Sequence, residues 1–82
     1  MIDVMYFAWL RERIGKPKEQ IDTQARTVEE LVEELRTRSE AHALAFSDIA
    51  SVRVAIDQDL TDMSASLSGA REVAFFPPMT GG

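Results

Sequence analysis

The residues of this chain best placed to do chemistry are Pro77-Pro78-Met79-Thr80-Gly81-Gly82, which follow the aromatic pair Phe75-Phe76 at the end of the sequence. Gly81 and Gly82 have no side chains, so this end can thread a channel too narrow for any other dipeptide and adopt backbone angles closed to other residues. The carboxylate of Gly82 is then the expected reactive group at the tip. With glycine at about 7% of average usage, two closing glycines arise by chance in roughly 0.5% of sequences, which weakens the plain reading of a frayed end. Pro77 and Pro78 stiffen the base of the tail towards an extended form and lower the entropy lost on insertion. From Pro77 to Gly82 the reach is up to roughly 20 Å, at about 3.3 to 3.6 Å per residue, enough to enter a buried site. The expected organisation is one folded domain over residues 1 to 76 and an extended tail over 77 to 82.

Such a tail needs a firm base. Residues 72 to 76 predict a strand that ends at Pro77-Pro78, because proline cannot donate to a ladder. Residues 2 to 9 are a nearly continuous apolar run, which predicts a strand central in a sheet or covered on both faces. Leu10-Arg11-Glu12-Arg13-Ile14 predicts a short helical turn closed by Gly15, Lys16 and Pro17. A weak strand over 19 to 23 then completes a hairpin with the first. Thr27 with Glu30 matches a capping box, and Val28, Leu31, Val32 and Leu35 lay one apolar stripe along a helix of about three turns. Residues 41 to 46 either continue that helix or form a second turn. Val52, Val54 and Ile56 alternate with Arg53, Ala55 and Asp57, the period of a half-exposed strand, and a short strand is expected near 59 to 61. The order β, β, α, β, β, with its most apolar strands first and last, puts those two side by side and parallel. The predicted fold is α+β, a ubiquitin-like β-grasp, with a mixed sheet and one main helix across a face.

Phe75 and Phe76 must point to opposite faces of their strand, so one is core and the other free to dock a partner. Phe7 and Trp9 are expected on one face of the first strand, most simply as core. Arg11 reads as solvated, and Leu60 as either an exposed partner contact or a buried turn residue. His42 has no acid or serine at recognisable spacing and is expected at a surface helix position. Glu29, Glu30, Glu33 and Glu34 belong on the solvated side of the main helix. The four methionines suit filler or interface positions, not a cofactor site.

Composition narrows the function. At 82 residues with 45% apolar content, this is one domain able to bury a modest core. Fourteen acidic against nine basic residues give a net charge of -5, and no Lys/Arg cluster appears. Nucleic acid is therefore not the expected partner, whereas a basic protein surface fits. The absence of cysteine removes disulfides, thiolate metal sites and a cysteine nucleophile, so any sulfur must come from elsewhere. No apolar stretch approaches the ~20 residues of a membrane span, and the first ten residues lack the leader pattern of a signal peptide. The expected location is cytoplasmic, with no membrane partner and no metal or bound cofactor. No Gly-rich loop with lysine is present to hold ATP.

Phe7-Ala8, Leu10-Arg11-Glu12, Thr27-Val28-Glu29-Glu30-Leu31 and above all Glu72-Val73-Ala74-Phe75-Phe76-Pro77-Pro78-Met79-Thr80-Gly81-Gly82 together resemble the molybdopterin synthase small-subunit family. The resemblance covers essentially the whole chain. A lone Gly-Gly is shared by ubiquitin and other sulfur carriers; the aromatic residues, double proline and Thr-Gly-Gly narrow it. The sequence departs from the family at Ser68-Gly69-Ala70-Arg71-Glu72, where acids are lost and a residue is inserted, at Asp57, where Asn is frequent, and at Met79, where Val is commoner. The resemblance implies a subunit that is not catalytic alone but serves a sulfurtransferase complex. Gly82 would be adenylated by an ATP-dependent enzyme, converted to a thiocarboxylate with sulfur from a persulfide donor, and emptied in the large subunit onto a cyclic pyranopterin phosphate. The acyl-adenylate and thiocarboxylate are the only cofactor-like states implied. It also implies that Phe7, Arg11 and Phe76 border the partner, with Leu60 a further candidate. A ubiquitin-like protein modifier, a sulfur carrier for another pathway such as thiamine or tRNA thiolation, and a plain interaction domain are the alternatives.

Overall fold

The computed structural model describes residues 1–78. Along the chain run β1 (Ile2–Tyr6), α1 (Trp9–Ile14), β2 (Lys18–Ile21), α2 (Val28–Arg36), α3 (Glu40–Ala45), a 3-10 turn (Ile49–Ser51), β3 (Arg53–Ile56), β4 (Asp59–Thr61) and β5 (Glu72–Phe76). The strands form one mixed sheet in the order β2-β1-β5-β3-β4. β1 and β5 pair in parallel, with Val4 opposite Val73 and Tyr6 opposite Phe75. The remaining pairs are antiparallel. The predicted central pair is therefore present, and β5 is flanked by a strand on each side.

One face of the sheet is covered. Ile2, Val4, Tyr6, Val54, Val73 and Phe75 are buried in a single cluster with Leu10, Leu31, Leu35 and Phe46 of the helical layer. Tyr6 stacks near Phe75 with ring centroids 6.5 Å apart, and Phe46 meets Phe75 edge-on at 5.0 Å, geometries that suit aromatic quadrupoles. On β1 burial alternates: Asp3 and Met5 are only half-buried. Of the two readings its composition allowed, the apolar run at the start of the chain is thus a strand inside the sheet, between β2 and β5, and not one covered on both faces.

Nor does that run continue to residue 9. β1 stops at Tyr6 because Ala8 takes φ 54° and ψ -132°, a conformation that costs a non-glycine residue about 1 to 3 kcal/mol. The chain turns there and Trp9 opens α1, so Phe7 and Trp9 do not share a strand face. Gly15 ends α1 with φ 92°, and its N–H donates to the Arg11 carbonyl at 2.8 Å. This is the left-handed C-terminal cap that glycine adopts without a Cβ penalty.

Thr27 caps α2: its Oγ1 accepts from the Glu30 N–H at 3.2 Å. The return bond of Glu30 goes to the Arg26 N–H at 3.2 Å, one residue earlier than the capping-box pattern places it. Two further free donors at the helix start are used by the following loop, Val28 N–H to the Ala65 carbonyl at 3.1 Å and Glu29 N–H to the Met63 carbonyl at 2.8 Å. These bonds satisfy groups the helix cannot and clip residues 63 to 65 onto it. Val28, Leu31, Val32 and Leu35 are buried as their spacing predicts, while Glu29, Glu30 and Glu33 are exposed and Glu34 half-buried. Residues 41 to 46 do not prolong α2. Ser39 starts a separate helix, accepting from the His42 N–H at 3.1 Å.

Asp57 (φ 48°) and Gln58 (φ 74°) form the β3–β4 turn with positive φ at both central positions. This pattern matches the twist of a hairpin but favours Asn-Gly. Asp57 Oδ1 also accepts from the Arg71 and Glu72 N–H groups at 3.1 and 2.9 Å. The turn residue thereby fixes the entry of β5.

Candidate functional site

The side of the sheet away from the helices is open, and strand register places its residues in rows. Lys18 lies opposite Met5, Met5 opposite Ala74, Ala74 opposite Ala55, and Ala55 opposite Leu60. Neighbouring strands are about 4.8 Å apart, so this row crosses the whole sheet and is apolar from Met5 to Leu60. Two residues further along, Phe76 of β5 faces Arg53 of β3. On its other side Phe7 extends the ladder, its N–H donating to the Phe75 carbonyl at 3.1 Å. Phe7 is 41% and Leu60 72% exposed, whereas Phe76 is half-buried.

The sheet therefore brings together three of the four residues proposed to face a partner. Phe7, Leu60 and Phe76 share the open side, and the choice left open for Leu60 resolves to the exposed one. Arg11 sits on α1, also exposed, in the helical layer beyond the turn at Ala8. The Phe75/Phe76 pair divides as the strand period requires: Phe75 is completely buried and Phe76 lies opposite it in the pleat. Arg53 turns back to the chain before it, donating to the Ala50 and Val52 carbonyls at 2.9 and 3.3 Å.

The tail leaves from the central strand of the sheet. β5 is held by β1 and β3 at once, and Phe75 is locked between Tyr6 and Phe46. Pro77 and Pro78 follow, half-buried, where the ladder has no further donor. The other tail residues, Met79, Thr80, Gly81 and Gly82, lie outside the described residues.

A polar cluster that composition did not reveal sits in the covered layer. His42 is 5% exposed, not a surface residue as expected from its isolation in sequence. Its Nε2 lies 2.6 Å from Glu19 Oε2, which also accepts from the Tyr6 hydroxyl at 2.6 Å. Its Nδ1 meets the Ser39 hydroxyl at 2.7 Å. Lys16 and Arg38 approach the second oxygen of Glu19 at 3.6 and 3.8 Å. Burial pushes the Glu19 carboxyl up, but the hydrogen bonds from His42 and Tyr6, with the His42 and Lys16 charges, outweigh it and hold the group below the usual carboxylate range. Burial, then the bond to Glu19, raises Tyr6 far above an ordinary phenol. The serine, histidine and glutamate follow the order of a hydrolytic triad, but the serine oxygen is occupied in capping α3, so the cluster ties β1, β2 and α3 together. Its signal in sequence was faint: Tyr6, Glu19 and His42 are 13 and 23 residues apart in their pairs.

Among the described residues no group of three or more His, Cys, Asp or Glu is arranged to hold a metal ion, and no helix is long and apolar enough to cross a membrane. The open apolar face and the root of the tail are the features of the described residues that the packed body does not use.

Comparison with known proteins shows which family the chain falls in. Over all 82 residues, and the whole of each relative, the chain is 38% identical to the molybdopterin synthase sulfur carrier subunit of Escherichia coli (strain K12) and 37% identical to that of Haemophilus influenzae. Among solved structures, a putative molybdopterin converting factor subunit 1 from Pyrococcus furiosus superposes with a TM-score of 0.72 at 25% identity, covering 95% of this chain and 97% of that one. SAMP1 from Haloferax volcanii gives 0.74 at 22% identity, covering 99% and 98%, and shares the fold. The ThiS family model matches residues 4–82: the chain belongs to the ThiS family.

Proposed function

We propose that this chain is the sulfur carrier subunit of a molybdopterin synthase, with Gly82 as the residue that carries the sulfur. The observation that carries the reading is the full-length 38% identity to the Escherichia coli sulfur carrier subunit, in a chain whose last residues pass from a central strand into Pro-Pro-Met-Thr-Gly-Gly. A carboxylate resists nucleophilic attack because of its resonance and its charge, so it needs a leaving group. An ATP-dependent adenylating enzyme supplies one, forming the Gly82 acyl-adenylate and releasing pyrophosphate. A persulfide donor then displaces AMP, and cleavage of its sulfur–sulfur bond by a thiol leaves the thiocarboxylate. In the large subunit the thiocarboxylate sulfur bonds to a carbon of a cyclic pyranopterin phosphate, and water cleaves the acyl–sulfur bond, leaving the sulfur on the product and returning the Gly82 carboxylate. Two such deliveries complete the dithiolene.

Within this cycle the folded body positions and presents. Phe7, Leu60 and Phe76 dock on a partner, with Arg11 bordering the contact. Pro77 and Pro78 end the ladder and stiffen the root of the tail, and Met79, Thr80, Gly81 and Gly82 are the residues for the active site. The chain supplies no catalytic group of its own.

Intact mass of the chain from cells that hold the adenylating enzyme tests the reading. One oxygen-to-sulfur exchange, mapped to Gly82, is expected, and its loss when the adenylating enzyme is deleted. Amide adducts between Gly82 and lysines of other proteins, without the sulfur-bearing form, would instead identify a protein modifier.

A further inference from the structure

We propose that the methyl group of Ala8 is itself a contact of the partner surface around the tail root, kept there against the preference of the backbone. The inference rests on the reading of the open sheet face as the surface that meets the large subunit. At φ 54° and ψ -132°, Ala8 occupies the first central position of a type II′ turn, which glycine fills by preference. The turn is closed by the Leu10 N–H donating to the Phe7 carbonyl at 3.2 Å. Positive φ occurs at only three non-glycine residues of the described chain, Ala8, Asp57 and Gln58; Asp57 has a visible reason, its carboxylate serving two backbone donors, and Gln58 completes the same two-residue hairpin turn, which sets positive φ at both central positions. The Ala8 side chain has no such reason inside the body, although the Ala8 carbonyl accepts from the Glu12 N–H at 3.3 Å. It is exposed, and its side chain belongs neither to the buried cluster nor to the residues packed against it.

Its position supplies the reason. Ala8 directly follows Phe7, whose N–H is bound to the Phe75 carbonyl, so it stands at the end of the sheet from which Phe76 and Pro77 depart. Ala8, unlike Gln58, stands beside Phe7 at the tail root, where a contact outside the molecule accounts for a strained residue, since strain concentrates where function requires a set geometry. Glycine at this site would relieve the strain, remove the methyl and free the backbone beside Phe7 in one step. Stability and partner affinity are therefore set against each other at Ala8.

The test compares A8G, A8S and F76A with the wild-type full-length chain, measuring melting temperature and affinity for the purified large subunit. A8G is expected to raise Tm by a few degrees and to weaken binding about 3- to 10-fold, the effect of one lost methyl contact together with a looser Phe7. A8S keeps the β-carbon and is expected to keep wild-type affinity with no gain in Tm. Unchanged affinity of A8G, with F76A still impaired, overturns the proposal and leaves the reading of the face intact. A lower Tm for A8G overturns it too, because alanine is then the residue the fold prefers. A wild-type chain that does not bind the large subunit overturns the reading and the proposal together.

Discussion

His42 Nε2 and Glu19 Oε2 stand 2.6 Å apart under the helical layer, and this pair joins an edge strand to the last helix of the α layer. Glu19 is reached also by Tyr6, whose ring stacks on Phe75. A chain of contacts thus runs from β2 to the strand that bears the tail. Removing the charge at Glu19 is expected to loosen the body at its most connected polar point.

The pH dependence follows from the lowered pKa of Glu19. A carboxyl depressed in the folded state contributes stability that is present in full above its unfolded pKa and is lost as pH falls through the folded one. E19Q is expected to cost about 1 to 3 kcal/mol at neutral pH. The gap from wild type should narrow as the pH drops below the ordinary carboxylate range. Urea unfolding of both proteins across that range checks this, and a constant gap would contradict it.

The two adjacent phenylalanines should separate folding from docking. Phe75 is wholly buried, so F75A is expected to destabilise the fold by about 3 to 5 kcal/mol. F76A should change stability far less, yet weaken large-subunit binding by about 1 to 3 kcal/mol. Denaturant melts set beside calorimetric titrations decide it, and the reverse assignment would place the docking face on the other side of the sheet.

At the β3–β4 turn, Gln58 holds φ 74° without glycine's freedom. Q58G is expected to stabilise the protein by about 0.4 to 1 kcal/mol. D57A, which strips two backbone donors of their acceptor, should cost about 1 to 2 kcal/mol. Thermal melts of the two variants moving in opposite directions would bear out the double role of this turn.

Loss of Gly82 should leave the melting temperature unchanged while abolishing formation of the sulfur-bearing species and sulfur transfer. Gly81→Leu, full-length but with a side chain in the tail, should fold normally and fail at insertion or activation. Unimpaired turnover by either variant, measured with adenylating enzyme and large subunit present, would refute the assignment of chemistry to the tail.

Most elements were legible because their signals are local. The capping pair Thr27 and Glu30, the apolar stripe of α2, the alternation in β3 and the proline stop after β5 each depend on residues close in sequence, and each element lies where predicted. The apolar pattern overextends the first strand because apolarity alone does not report backbone angles. Phe7, Ala8 and Trp9 look like strand, and only the positive φ at Ala8 separates a strand end from a helix start. His42 was misplaced for a related reason, since its partner Glu19 lies 23 residues away and no periodicity connects them.

What sequence alone determined was the Gly-Gly ending, the balance of charge and the identity of the central strands, all carried by composition and short-range order. What only tertiary structure decided was which side chains meet. Strand register brings Phe7, Leu60 and Phe76 to one open face, and packing buries Phe75 and His42. Register and packing are set by contacts between segments distant in the chain, so no local window of residues encodes them.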